Sequence, residues 1–386
     1  MKTILLIITL INTISLSNVI ELNGYITPEE LKYIYHYGGD GSICITKNEI
    51  FVGGKKYNYI IEPGKRLVRK FCGISNIKTG AVSLCSDDSL LVAHSFNPEN
   101  GYYYLQILNR KGELISNSIK HHPGTGNLFF NQADSTIVIS GLHFTRYCEM
   151  LDKYDEESFT PSKQSKRGIN NFFSSNMAYT LTKYDFNLTL IDSANPIERR
   201  GQNYRGYSNL YLHEVFDMDT LNNIYTIHNS SNYLIRKYSY NFELLFEFNA
   251  ENENFIHIPD KLTGAKGNRM FNIPGTYSLI YTLKYIKNMI FISFYQNTNG
   301  WERSYGPFYY DLYTNDGDVI ATGRLPYKVV SKDNLGNLYL LVKQNAKNIF
   351  YDDKYYLISI TVNELLQNEI SKSSLEREID EYMGAY

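Results

Sequence analysis

Apolar and polar positions alternate most cleanly between His213 and Asn249, H-E-V-F-D-M-D-T-L-N-N-I-Y-T-I-H-N-S-S-N-Y-L-I-R-K-Y-S-Y-N-F-E-L-L-F-E-F-N. A period of two over short runs marks half-buried strands, because successive side chains leave a strand on opposite faces. The stretch predicts four strands: Val215 to Asp219, Ile224 to His228, Tyr233 to Tyr238 and Leu244 to Phe248. The turns Leu221-Asn222-Asn223 and Tyr240-Asn241-Phe242 join the first strand to the second and the third to the fourth.

Such a meander cannot bury both of its faces alone, and weaker copies of it recur along the chain. Their first strands start near residues 43, 81, 127, 169, 214, 278 and 328, mostly at the spacing of about 40 to 50 residues that one four-stranded blade requires. The pattern therefore predicts an all-β propeller of seven blades over residues 18–362, or six if the weak copy after Ile169 completes its predecessor. The last copy lacks a fourth strand. Leu31 to Tyr37 is the expected donor, closing the ring and removing its exposed edges. Residues 363–386 read as a short C-terminal helical tail, with Leu365, Leu366, Ile370, Leu375, Ile379 and Tyr382 on one apolar face and a break near Ser371 to Ser374.

The segments N-N-I-Y (Asn222 to Tyr225), G-N-L-Y (Gly336 to Tyr339) and L-I-R-K-Y (Leu234 to Tyr238) resemble the repeats of NHL-type and related six-bladed propellers. In that family a Gly-Asn-x-Tyr turn and strand precede an Arg-containing third strand. His228 and Val342 stand where the family often carries Asp. The resemblance implies a fold rather than an activity, since the family includes scaffolds, ligand-binding proteins, lyases and hydrolases. A single Trp and the lack of recurring paired glycines set the chain apart from WD-type, Asp-box and kelch arrays.

Composition adds little to the fold and more to the compartment. The 35 Tyr and 20 Phe favour strands. A net charge of -2, from 38 Lys+Arg against 40 Asp+Glu, gives the whole molecule no footprint for nucleic acid or an anionic membrane. Met1 to Ser17 has the form of a secretory signal: Lys2, an apolar run from Ile4 to Ile11, then Ser15-Leu16-Ser17. Cleavage near Ser17/Asn18 is expected, with no transmembrane segment left in the mature, exported chain (secreted, periplasmic or surface-associated). Cys44, Cys72, Cys85 and Cys148 contain no CxxC pair, so buried thiols or disulfides are expected and a metal site is not.

In a meander the first-to-second and third-to-fourth turns lie at one end of the blade; all other connections lie at the opposite end. Here the first set is uniformly short and the second holds the long segments, among them Ala250 to Gly275, Gln296 to Pro307 and Lys343 to Asp353. Loop elaboration on one side of a repeat scaffold marks a binding face. Expected ligand-binding residues are His94 and His228 at the ends of second strands, Arg236, and Trp301 with Arg303 in the loop N-T-N-G-W-E-R-S-Y-G-P. No catalytic motif, cofactor motif or metal-ligand spacing is present. The expected function is an exported scaffold binding a protein or glycan partner through the long-loop face. The alternatives are a lyase or hydrolase acting at the channel mouth and a structural surface component.

Overall fold

The computed structural model describes residues 19–37, 41–72, 81–86, 90–97, 102–116, 119–121, 128–131, 133–140, 179–196, 214–228, 233–257, 277–297, 308–345, 353–368 and 370–384. They form six four-stranded antiparallel sheets, each a meander. Blade 1 comprises β2 (Ile43–Ile45), β3 (Ile50–Gly53), β4 (Tyr57–Glu62) and β5 (Leu67–Cys72). Blade 2 comprises β6 (Ala81–Ser86), β7 (Leu90–Asn97), β8 (Tyr102–Asn109) and β9 (Ile119–His121). Blade 3 comprises β10 (Leu128–Asn131), β11 (Thr136–Ser140), β12 (Tyr179–Asp185) and β13 (Leu190–Pro196). Blade 4 comprises β14 (Glu214–Met218), β15 (Ile224–His228), β16 (Leu234–Tyr238) and β17 (Leu244–Asn249). Blade 5 comprises β18 (Tyr277–Ile286), β19 (Met289–Asn297), β20 (Phe308–Thr314) and β21 (Val319–Leu325). In blade 6, β22 (Val329–Lys332), β23 (Leu338–Gln344) and β24 (Lys354–Ile360) are completed on the outside by β1 (Val19–Glu21).

Six apolar clusters occupy the six gaps between blades, so each sheet is sandwiched on both faces and the ring is closed. Phe51 and Ile60 meet Leu91 and Leu108 between blades 1 and 2, and Val330 and Tyr339 meet Ile43 and Ile50 where blade 6 returns to blade 1. This is why middle strands such as Leu338 to Leu341 read as unbroken apolar runs: both of their faces are covered.

The expectation of seven blades is corrected. Tyr179–Asp185 pairs with Thr136–Ser140, register Ile137↔Tyr184, so the strands after Ile169 complete blade 3. The long segment between Ser140 and Tyr179 stretches that blade until it looks like two. The closing strand is also corrected. Val19–Glu21 pairs with β24 in the register Val19↔Ile358, whereas Leu31 to Tyr37 belongs to helix α1 (Pro28–Tyr37). Alternating Tyr33, Tyr35 and Tyr37 imitate a strand. Pro28 in the first turn, the acidic pair Glu29-Glu30 behind it, and Leu31 and Ile34 three apart on the buried face make the helix.

The tail forms α2 (Val362–Gln367) and α3 (Lys372–Gly384). Thr361 and Glu364 make a reciprocal capping box at the start of α2, and Asn368 ends it in the left-handed conformation at φ 53°. Leu365, Ile370, Leu375 and Ile379 join the apolar cluster of blades 5 and 6. No described helix is long and apolar enough to cross a membrane. Cys44 of β2 is half-buried.

Candidate functional site

The two ends of the ring are built by different chemistry. At the short-turn end one device recurs. In Asp219-Thr-Leu-Asn-Asn223 a carboxylate oxygen of Asp219 accepts the backbone N–H groups of Leu221 (2.9 Å) and Asn223 (2.8 Å), and the other accepts Asn223 Nδ2 (2.8 Å). Asn222 sits at φ 63°, where Asn is tolerated better than other side chains. Asp333-Asn-Leu-Gly-Asn337 repeats these bonds at 2.9, 2.9 and 3.0 Å with Gly336 at φ 78°, and Tyr339 Oη adds a donor to Asp333 at 3.3 Å. These are the stretches that carry the N-N-I-Y and G-N-L-Y repeats: the Asp three residues ahead of each stretch holds the turn, and its Asn and Tyr point back to that Asp. Third-to-fourth turns use Asn109, Asp185, Ser239 and Thr314 in the same way.

Immediately after those turns stands an exposed apolar pair in each of blades 1 to 5: Leu67-Val68, Leu190-Ile191, Leu244-Leu245 and Val319-Ile320 open the outer strands, and Leu114-Ile115 bridges to β8 ahead of β9. In blades 3, 4 and 5 the register slips by one residue here, leaving Ile191, Leu245 and Ile320 as the extra residue of a β-bulge. The turn tips Leu221 and Leu335 add to this end, at 79% and 66% exposure. In blade 6 the outer strand is β1, and its Val19 and Ile20 are buried instead, under α3 and α1 respectively.

At the opposite end, the described residues are pinned by buried polar anchors. Glu30 of α1 is buried and accepts the backbone N–H groups of Lys55 and Lys56 (3.0 Å for Lys56), seating the helix on the second-to-third connection of blade 1. Its carboxylate lies against Gly54, where a Cβ would meet it at 2.3 Å. Lys328 Nζ donates to the carbonyl of Ile34 at 3.3 Å beside the Tyr35 and Tyr281 rings. Burial, then the ammonium groups of Lys343, Lys32 and Lys328, hold His36 below the ordinary imidazole value.

Among the described residues the most enclosed carboxyl group is that of Asp311 on β20, fully buried between blades 4 and 5. Its carboxylate accepts Tyr233 Oη at 2.6 Å and Asn252 Nδ2. Burial raises its pKa to about 6 against the opposing pull of the Tyr233, Asn252 and Tyr313 donors. Around it, Tyr233 stacks on Phe255 at 4.3 Å, Gln296 Nε2 donates to the Asn254 carbonyl at 2.7 Å, and Ile256 N–H donates to Ser278 Oγ at 2.9 Å. The carboxylate thus holds the first part of the connection between β17 and β18 against the ring.

The expected binding residues are not gathered by the described structure. His94 lies within β7, which runs on to Asn97, and is fully buried. His228 closes β15 opposite Glu214, two blades away. Arg236 is on the third strand of blade 4, partly buried, and its Nε donates to Glu247 at 3.2 Å. Trp301 and Arg303 lie outside the described residues. The described residues contain no cluster of three metal-ligating side chains. The sequence carries a single signal for Asp311, an acidic residue inside the otherwise apolar run Phe308 to Tyr313.

No family model matches the chain, and no curated protein matches it in sequence. Solved structures do resemble it. A member of the duf4221 family from Bacteroides vulgatus aligns over 86% of this chain and 94% of its own at a TM-score of 0.50 with 12% identity. The Kuenenia stuttgartiensis hydrazine synthase aligns over 78% and 73% at a TM-score of 0.44 with 10% identity, and a protein of unknown function from Bacteroides caccae over 74% and 81% at 0.39 with 10% identity. At such identity the first likeness supports the propeller fold alone, and the latter two carry no argument. The NHL-type resemblance rests on the repeats themselves.

Proposed function

We propose that the chain is an exported recognition scaffold that binds a protein or glycan partner on its long-connection face. One observation carries this reading: the connections that exceed a tight turn leave the ring at one end, while the other end is closed by short, side-chain-capped turns. The Asp311 cluster and the Glu30 anchor give that end a rigid floor, which lowers the ordering cost of binding. Trp301, Arg303, His228 and Arg236 remain the residues proposed to meet the partner, since aromatic and Arg side chains are efficient anchors.

The test uses labelled chain on a glycan array and on extracytoplasmic proteins from the source cells, beside a variant in which residues 298–307 are replaced by Gly/Ser. Saturable binding that is lost in the variant, at unchanged melting temperature, is expected. Equal binding by both chains would overturn the assignment of the face.

A further inference from the structure

We propose that the short-turn face is a self-association surface, on which a second copy of this chain docks face to face about a twofold axis in the plane of that face. Of the fifteen large apolar side chains that stand exposed among the described residues, thirteen lie on the turns at this end or within three residues after them. Scattered exposed apolar residues are ordinary, but a gathering of this kind at one end marks an interaction site. Blade 6 shows what the same strand position does when the chain supplies cover: Val19 and Ile20 fall to 5% and 3% exposure beneath amphipathic helices.

Charge selects the occupant. Among the described residues, blade 1 presents exposed cations at this end, Lys47, Lys65 and Arg66, with Lys65 also meeting Glu62 at 2.6 Å. The outer turn of blade 5 presents exposed Asp316 and Asp318, with Lys287 on the inner turn. A twofold axis running through blades 3 and 6 lays blade 1 of each copy over blade 5 of the other, so the complementary contact forms twice. An anionic membrane would attract one sector and repel the other. The bulges at Ile191, Leu245 and Ile320 interrupt the outer edges, which favours docking of faces over extension of sheets.

Sedimentation velocity of the full chain should show a dimer that dissociates on dilution through the micromolar range and weakens at high salt. Lys47→Glu/Lys65→Glu and Asp316→Lys/Asp318→Lys should each weaken association at least tenfold, and an equimolar mixture of the two should restore it, because each contact then pairs opposite charges. Leu221→Asp/Leu245→Asp should give a folded monomer. A wild-type monomer at about 100 μM, a dimer indifferent to all these changes, or flotation of the wild type with anionic vesicles that Leu221→Asp/Leu245→Asp abolishes would each overturn the proposal.

Discussion

Asp311 offers a sharp test of how the ring handles a buried charge. Its carboxyl has a folded pKa of about 6 against an ordinary 3.8, with burial as the leading cause. The native state therefore binds the proton more tightly than the unfolded chain. Between roughly pH 4 and pH 6 the folded protein is the more protonated state, so stability falls as pH rises through this window and levels off above it. A shift of about two units corresponds to about 3 kcal/mol at 1.36 kcal/mol per unit, taken as a ceiling. Asp311→Asn removes the titration while leaving an acceptor for Tyr233 Oη or Asn252 Nδ2. The assay is urea denaturation of both chains at pH 4.5, 5.5, 6.5 and 7.5 at constant ionic strength, comparing the difference between them so that other carboxylates cancel. Stability of the wild type relative to Asp311→Asn should fall by at most about 2 kcal/mol from pH 4.5 to pH 7.5, since part of the full effect lies below that range. A flat difference, or one that rises with pH, would refute the reasoning.

Asp333→Ala leaves the Leu335 and Asn337 amides and Tyr339 Oη without their acceptor, and should lower stability by about 2 kcal/mol in chemical denaturation, with Asp333→Asn recovering part of it. Gly323→Ala would put a methyl group 2.6 Å from Tyr310 Cε1 and 2.8 Å from Asn368 Oδ1; a cost of about 1 to 3 kcal/mol and faster proteolytic release of the tail are expected. Glu30→Ala strips the acceptor from Lys55 and Lys56 N–H and should loosen α1, raising hydrogen exchange at residues 54–57 while leaving blade 4 unchanged. N-terminal sequencing of the chain recovered from the culture medium or periplasm should start at Asn18; recovery only from the cytoplasm with Met1 intact would remove the export reading.

The repeat itself was legible in the chain. Alternation with a period of two, Asn and Gly at the turn positions, and recurrence at blade spacing follow from local backbone geometry, and local geometry is written residue by residue. Blade 4 shows this best: its four predicted strands lie within a residue or two of those observed, and the Asp219 turn closes within five residues. Tertiary structure decided matters that depend on distant partners. Whether Leu31 to Tyr37 is strand or helix turns on what Leu31 and Ile34 pack against, and the blade count turns on β12 pairing with β11 across a long segment. The candidate sites divide along the same line. His94 looks like a ligand by residue type, yet it is enclosed within blade 2. Leu244-Leu245 looks like core by residue type, yet it is exposed because the outer strand has a neighbour on one side and a bulge turns it outward. Hydrophobicity along the chain determines which residues seek cover, whereas the closure of the ring determines which of them receive it.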